Sequence, residues 1–247
     1  EEKMLNHAKS KLRIAHVDLE CSNLSADWGI IICGCIKWDG GGLDTFRITD
    51  YTQRDIMDDC GVACGIRDAL EEADLWTGWY SAKFDIPYLQ ARLLYHGAQA
   101  ASTKIPHVDL WKTARYELKL SSNRLANIQR FLKLSATKTP IDQGTWIKAI
   151  AGNKKAMDIV VEHCQEDVKM LEEAYHKMRP LVKGHPNMSL EHPDLDGHVC
   201  PKCTSSRMEK MGYRMTTVRR YQRWRCLDCG TSSSSRLAEK QNAPLLV

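Results

Sequence analysis

The sequence has no long apolar segment, no internal repeat and no low-complexity region. Its longest apolar run, residues 29–36, is far shorter than the roughly 18 residues that a membrane helix needs. No charged segment followed by an apolar core opens the chain, so a secretory signal is not indicated. A hydrophobic fraction of 43% and a charged fraction of 27% are ordinary for a globular protein. These absences exclude fibrous and membrane-spanning classes, and we expect a cytoplasmic protein with no membrane partner.

The 247 residues allow one domain of about 180 residues and a small appendage, because single domains commonly have roughly 100 to 200 residues. Pro180, Gly184, Pro186, Pro193 and Gly197 interrupt the sequence without periodicity, which is typical of a linker. We therefore predict a first domain at residues 11–179, a linker at 180–197, a second domain at 198–236 and a flexible tail at 237–247.

Apolar runs rich in strand formers come first in the chain, and helical spacing then alternates with strands. Strands are predicted at residues 12–19, 28–38, 43–48, 74–79 and 105–110. Helices are predicted at residues 56–72, 84–96, 111–120, 124–132 and 154–177. This order indicates an α/β domain with a mixed sheet flanked by helices.

Two acids, Asp18 and Glu20, stand two residues apart at the end of the first apolar strand. Because side chains alternate along a strand, both carboxylates point to one face of the sheet. Adjacent carboxylates repel each other unless a cation lies between them, and Mg²⁺ or Mn²⁺ accepts such oxygen ligands. A solvated strand end is the simpler alternative for this pair alone.

Further acids stand at two other element boundaries. Asp85 opens a predicted helix, where it could act only as a cap or as a charge that complements the helix dipole. His163 and Asp167 are four residues apart in the long helix and so share one face. Taken alone, the second pair is also typical of an ordinary helix surface.

Together these segments resemble the three sequence motifs of the DEDD superfamily of exonucleases, which have an RNase H-like, DnaQ-like fold. The first motif is Val17-Asp18-Leu19-Glu20-Cys21, and the second is Thr77-Gly78 followed by Phe84-Asp85-Ile86-Pro87-Tyr88-Leu89. Both are most similar to the exonuclease domain of family B DNA polymerases, over residues 11–179. The resemblance implies an RNase H-like mixed sheet and 3′ to 5′ hydrolysis of single-stranded nucleic acid ends, with DNA favoured. It also implies that Asp18, Glu20, Asp85 and Asp167 bind two Mg²⁺ or Mn²⁺ ions.

The chain departs from this family at two positions. One branch of the family has a tyrosine four residues before the last acid, and the other has a histidine five residues before it. In this chain, His163 stands four residues before Asp167 and Glu162 stands five residues before it. His163 is the candidate general base, with a structural helix histidine as the alternative. Tyr80 replaces an asparagine that contacts substrate in the family, and either stacks on a terminal base or packs in the sheet. Trp79 is expected in the core.

Four of the ten cysteines form two Cys-x-x-Cys pairs, Cys200 with Cys203 and Cys226 with Cys229. This spacing is typical of a structural site for one Zn²⁺. The other six cysteines are interpreted as small buried residues. Residues 232–235 are expected to be a flexible exit from the zinc module.

The zinc module is strongly basic. Residues 198–236 contain nine Lys and Arg residues and two acidic residues, so their net charge is +7. The module resembles the zinc ribbons of transposases and transcription factors. We expect nucleic acid to be its ligand, with a protein partner as the alternative. The candidate nucleic-acid contacts are Arg219, Arg220, Arg223 and Arg225.

Three functions are thus compatible with the sequence. The leading hypothesis is the 3′ to 5′ exonuclease. The second is an exoribonuclease or a structure-selective endonuclease that uses the same four acids. The third is an inactive nucleic-acid-binding or scaffold protein, for which the changes at Tyr80 and His163 would mark the loss of activity.

Overall fold

A computed structural model describes residues 12–55, 57–135, 140–191 and 197–239. The chain divides into two compact units, and the boundary falls between Tyr175 and His176. In the part of the chain that the structure describes, no helix is both long enough and apolar enough to cross a membrane.

The first unit contains a five-stranded sheet with the order β3-β2-β1-β4-β5. Its strands are β1 (Ile14–Cys21), β2 (Ile31–Trp38), β3 (Leu43–Arg47), β4 (Leu75–Gly78) and β5 (His107–Asp109). Strands β1, β2 and β3 pair antiparallel, whereas β4 pairs parallel with both β1 and β5. The predicted mixed α/β sheet is therefore confirmed.

Six helices accompany the described strands of this sheet: α1 (Cys60–Glu71), α2 (Asp85–Tyr95), α3 (Leu110–Glu117), α4 (Leu125–Leu132), α5 (Gln143–Ile150) and α6 (Lys154–Met178). The prediction missed α5, whose signal is the N-cap residue Asp142, a carboxylate that accepts a hydrogen bond from the Thr145 N–H. Gly144 weakens the helical propensity of this segment. The predicted start of α1 was also too early. The Asp58 carboxylate instead accepts a hydrogen bond from the backbone N–H of Arg54 and so stabilises a turn before the helix.

Helices cover both faces of the sheet. On one face, a Cβ atom added to Gly34 of β2 would touch Leu19 of β1 and Ile66 of α1, so these residues are packed closely together. On the other face, the buried Cys164 of α6 donates a hydrogen bond to the backbone oxygen of Asp18. The alternation of β1 therefore sends its apolar side chains toward α1, and its two acids lie on the α6 face.

The second unit contains the three-stranded antiparallel sheet β6-β7-β8, formed by β6 (Met208–Met215), β7 (Arg220–Cys226) and β8 (Ser232–Ser234). The prediction of a flexible exit at residues 232–235 was wrong, because Ser232 and Ser234 pair with Arg225 and Arg223 of β7. A serine run has low strand propensity, and the pairing to β7 overrides it. The expected flexible tail at 237–247 lies outside the described residues beyond Glu239, whose N–H donates to the Arg220 oxygen.

Two short 3₁₀ helices, Arg179–Leu181 and Met188–Glu191, precede this sheet. The ammonium group of Lys202 donates hydrogen bonds to the backbone oxygens of Arg179, Pro180 and Val182, at 2.9, 3.2 and 2.7 Å. This lysine therefore ties the segment after α6 to the first Cys-x-x-Cys turn.

Candidate active site and cysteine cluster

Asp18 and Glu20 share one face of β1, as the strand period predicted. Their carboxylate oxygens and the Cys164 sulfur all lie within 4.8 Å of one another. The two acids are half-buried and Cys164 is buried. This group of ligand atoms is close enough for small side-chain rotations to bring it around one cation.

Asp85 lies beside the segment that carries these two acids. Its carboxylate accepts a hydrogen bond from the N–H of Leu19, with an N to Oδ1 distance of 3.0 Å. The side chain is only 3% exposed, and this burial raises the pKa of Asp85 from 3.8 to about 7. A nearby cation would favour the ionised form of this carboxyl group.

Asp167 extends from α6 into the same region as Asp18, since both line one cleft of about 630 Å³. His163 lies one helical turn before Asp167, and its Nε2 is 3.9 Å from the Asp167 Oδ2. The lining residues of the cleft do not include His163. The structure therefore brings this histidine next to one of the four acids and leaves its chemical role a prediction.

Three aromatic side chains lie in the cleft with the acids. Tyr80 is 44% exposed, and its ring meets the Trp111 ring edge-on with centroids 5.0 Å apart. Trp79 was expected in the core but is half-buried at the cleft, where its indole N–H donates to the Asn123 oxygen at 3.1 Å. The complete lining consists of Asp18, Trp79, Tyr80, Trp111, Asn123, Arg124, Leu125, Ala126 and Asp167.

The loop that carries Tyr80 is held by Asp109 at the end of β5. The Asp109 carboxylate accepts hydrogen bonds from the N–H groups of Tyr80, Ala82 and Trp111, at 3.0, 3.2 and 3.0 Å. Tyr80 has a φ of +63°, a left-handed conformation that costs energy for a residue other than glycine. Asp109 therefore helps to stabilise a strained loop that presents an aromatic ring to the cleft.

Gly78 allows this loop to turn tightly. A Cβ atom added at Gly78 would collide with the side chain of Ser81, whose hydroxyl lies 2.8 Å from Nε2 of His107. The Thr-Gly pair of the second motif thus has a steric explanation, because only glycine leaves room for the Ser81 side chain.

The acid group fits a hard divalent cation. Carboxylate oxygens are the ligands that Mg²⁺ and Mn²⁺ prefer. Asp18 and Glu20 belong to one group of possible ligand atoms, and Asp85 accepts a hydrogen bond from the N–H of Leu19, the residue between them. The fourth, Asp167, shares the cleft with Asp18. The four predicted metal-binding acids therefore lie around the end of β1.

The four cysteines of the second unit also converge. All four sulfurs lie within 4.8 Å of one another, with 3.5 Å between Cys200 and Cys229 and 3.6 Å between Cys203 and Cys226. Sulfurs around a tetrahedral Zn²⁺ are about 3.8 Å apart for Zn–S bonds of about 2.3 Å. These separations fit a zinc site and are too long for disulfides.

Two tight turns present the cysteine sulfurs. The Thr204 N–H donates to the Cys200 oxygen, and the Gly230 N–H donates to the Cys226 oxygen. The hydrogen bond from Cys203 is the largest effect on Cys200 and lowers its pKa to about 4. A lowered pKa favours the thiolate form, which is the form that binds zinc.

The four predicted nucleic-acid contacts of the ribbon differ in their surroundings. Arg219, Arg223 and Arg225 are exposed, whereas Arg220 is half-buried. The Arg220 guanidinium forms an ion pair with Glu239 at 3.0 Å and lies over the Tyr213 ring. Arg223 and Arg225 alternate with Trp224 along β7 and so extend from one face of the sheet.

Some residues of the site were missed from the sequence. Trp111, Asn123 and Arg124 line the cleft but belong to segments without a family motif. Trp111 follows the end of a strand that runs parallel to β4, a position where ligand sites concentrate in sheets of this kind. That location is the signal that could have indicated it. Cys164 was interpreted only as a small buried residue.

Comparison with known proteins identifies the superfamily to which the chain belongs. The family model of the RNase H superfamily matches residues 15–179, and the chain belongs to that superfamily. This membership supports a nuclease activity in general, and with it divalent metal ions and a nucleic acid substrate. No curated protein matches the chain.

Among solved structures, the chain is similar to the family B DNA polymerase from the hyperthermophilic archaeon Pyrobaculum calidifontis. The TM-score is 0.58 and the sequence identity is 17%. The match covers 69% of this chain and 25% of the polymerase chain, so that the chain spans about a quarter of that protein. This likeness concerns the fold alone.

Proposed function

We propose that the chain is a metal-dependent 3′ to 5′ exonuclease of the DEDD type that removes nucleotides from single-stranded ends, with DNA as the favoured substrate. In this proposal, residues 11–179 form the nuclease domain. Residues 198–236 form a zinc ribbon that helps to bind the substrate, and residues 180–197 connect the two.

The convergence of acids and aromatic rings in one cleft carries the proposal. Asp18 and Asp167 line the cleft together with Trp79, Tyr80 and Trp111. Acids alone would suit any metal-dependent phosphate chemistry. Aromatic rings beside them suit a substrate whose bases are unstacked, because a base can stack on an exposed ring. This combination favours a single-stranded end over a continuous duplex.

Different residues of the chain would have different roles in the hydrolysis of the phosphodiester bond. Asp18, Glu20, Asp85 and Asp167 would hold two Mg²⁺ or Mn²⁺ ions, which when bound activate a water molecule and stabilise the leaving oxygen. Tyr80 and Trp111 would orient the terminal base, and Arg124, which also lines the cleft, would attract the phosphate backbone. His163, beside Asp167, would accept the proton of the attacking water as general base.

The ribbon would contribute affinity rather than chemistry. One Zn²⁺ held by Cys200, Cys203, Cys226 and Cys229 would stabilise a module that has few apolar residues of its own. The exposed Arg219, Arg223 and Arg225 would bind phosphates of the strand. Arg220 would contribute less to nucleic acid than to the module itself, since it pairs with Glu239.

The proposal is tested by incubating the protein with 5′-labelled single-stranded DNA and RNA in the presence of Mg²⁺, Mn²⁺ or no divalent ion. Stepwise shortening that requires a metal and disappears in Asp18→Ala is the expected result. A matched control is Asp27→Ala, which removes an exposed carboxylate of the loop after β1 and should leave the shortening unchanged.

The same assay separates the alternatives. Preferential shortening of RNA would indicate an exoribonuclease, and internal cuts in a circular single strand would indicate an endonuclease. Binding of both nucleic acids without degradation in any metal would contradict the proposal and favour the inactive binding protein.

A further inference from the structure

A thiol lies within the proposed metal site. The Cys164 sulfur and one carboxylate oxygen each of Asp18 and Glu20 lie within 4.8 Å of one another. Cys164 is fully buried, and its sulfur is 3.4 Å from the backbone oxygen of Asp18. Carboxylates alone favour hard ions such as Mg²⁺, whereas a thiolate ligand favours softer ions such as Zn²⁺ and Cd²⁺.

Two neighbouring thiols could support a thiolate at this position. The strand register places Cys33 opposite Glu20 and Cys35 opposite Asp18, so two further buried thiols lie near this group of ligand atoms. A thiol can donate its S–H to a thiolate sulfur. Hydrogen bonds of this kind to a ligand atom orient it and strengthen metal binding.

We infer that Cys164 is a third ligand at the Asp18 and Glu20 site and makes this site selective for thiophilic divalent ions over Mg²⁺. The inference rests on the proposed function for the identity of the metal-binding acids. As the sulfur binds the ion, the thiol releases its proton to water. Bonds of about 2.3 Å to sulfur and about 2.0 to 2.2 Å to oxygen allow ligand atoms of one ion to be up to about 4.5 Å apart. Small rotations of the two acids would therefore complete the site.

A functional consequence follows for inhibition. Zn²⁺ or Cd²⁺ held by two carboxylates and a thiolate would occupy the position of a catalytic Mg²⁺ or Mn²⁺ ion. Because the thiolate adds affinity that the hard ions do not gain, low concentrations of the soft ions should inhibit the enzyme.

Cadmium NMR spectroscopy of the full chain tests this directly. Wild-type protein loaded with Cd²⁺ should give one resonance from the four-cysteine cluster and a second from a site with one sulfur and several oxygens. In Cys164→Ser the second resonance should move into the range of oxygen-only sites while the first stays in place. Cys60→Ser removes a half-buried thiol of α1 outside the acid group and should leave both resonances unchanged.

Inhibition provides the second measurement. The Cd²⁺ concentration that halves Mn²⁺-dependent degradation should rise roughly tenfold or more in Cys164→Ser and stay unchanged in Cys60→Ser. Cys164→Ala serves the same purpose if serine disturbs the buried site, and the resonance of the cysteine cluster reports that each variant is folded.

The outcomes separate this inference from the function on which it rests. An identical second resonance and identical inhibition in wild type and Cys164 variants would overturn the inference. A wild-type spectrum without the second resonance, in a protein that degrades nucleic acid with Mn²⁺, would overturn the inference alone. Loss of both the resonance and all metal-dependent degradation would overturn the proposed function as well.

Discussion

At the scale of single residues, Asp85 connects stability to metal binding. Burial raises its pKa to about 7, so its ionised form is less favourable in the folded chain than in the unfolded chain. Without bound Mg²⁺ or Mn²⁺, the free energy of unfolding should therefore fall as pH rises from about 4 to about 7, by up to about 4 kcal/mol from this group. A bound cation would offset this loss.

Asp85→Asn removes the buried charge and keeps an oxygen that can accept the hydrogen bond from Leu19. Without Mg²⁺ or Mn²⁺ we expect its Tm at pH 8 to exceed that of wild type by on the order of 5 °C, with a smaller gain at pH 5. Added Mn²⁺ should raise the Tm of wild type and have little effect on the variant. Thermal unfolding at both pH values measures this, with Asp27→Asn as the control for loss of an exposed charge. An equal response of wild type and Asp85→Asn to Mn²⁺ would exclude Asp85 as a ligand.

Tyr80 is the residue at which an aromatic contact can be measured apart from catalysis. In an Asp18→Ala background, Tyr80→Asn tolerates the left-handed backbone but lacks the ring, and should weaken binding of single-stranded DNA by about 1 to 3 kcal/mol. Tyr80→Phe should bind like the parent. Fluorescence anisotropy gives both affinities. Tyr116 is an exposed tyrosine outside the cleft lining, so Tyr116→Asn should leave the affinity for single-stranded DNA unchanged. If Tyr116→Asn weakened binding as much as Tyr80→Asn, a specific contact at Tyr80 would be contradicted.

At the scale of elements, Asp109 and Asp142 offer a matched pair. Both cap a helix: Asp109 accepts from the Trp111 N–H at the start of α3, and Asp142 accepts from the Thr145 N–H at the start of α5. Only Asp109 also holds the loop with Tyr80 and Ala82. The two carboxylates therefore separate the effect of a lost cap from the effect of a displaced loop.

We expect both alanine variants to lose stability, Asp142→Ala by about 1 kcal/mol and Asp109→Ala by more, because three part-buried N–H groups lose their acceptor. Only Asp109→Ala should lower kcat at temperatures where both variants are folded, because it moves a wall of the cleft. Denaturant unfolding and steady-state kinetics measure the two effects. Equal kcat values for the two variants would show that Asp109 acts only as a cap.

At the scale of the whole molecule, the salt dependence of binding reports the contribution of the ribbon. Each phosphate contact on a single strand contributes about 0.7 to the slope of log K against log salt. Arg223→Ala with Arg225→Ala should therefore lower that slope by about 1.4 without changing the cleavage site. Arg207→Ala is the control, since that guanidinium already pairs with Asp228 at 2.5 Å. If the double variant had the same slope as wild type, Arg223 and Arg225 would not be the phosphate contacts.

Much of this architecture could be predicted because it depends on local periodicity. The alternation of β1 predicted that Asp18 and Glu20 share a face, and their oxygens do lie together. The spacing of the four cysteines likewise predicted a cluster, because a Cys-x-x-Cys turn directs two sulfurs toward one point. The family motifs predicted the mixed sheet, which the structure confirms.

Only the tertiary structure determined what surrounds these groups. Nothing local indicates that Trp111 meets Tyr80, that Cys164 lies beside Asp18, or that Arg220 pairs with Glu239. Each of these contacts joins separate segments of the chain, and packing fixes it rather than sequence spacing. Propensity also failed for β8, where pairing with β7 orders a serine run. Sequence by itself therefore determined which chemical groups are present and which face each one occupies, whereas the fold decided which groups meet.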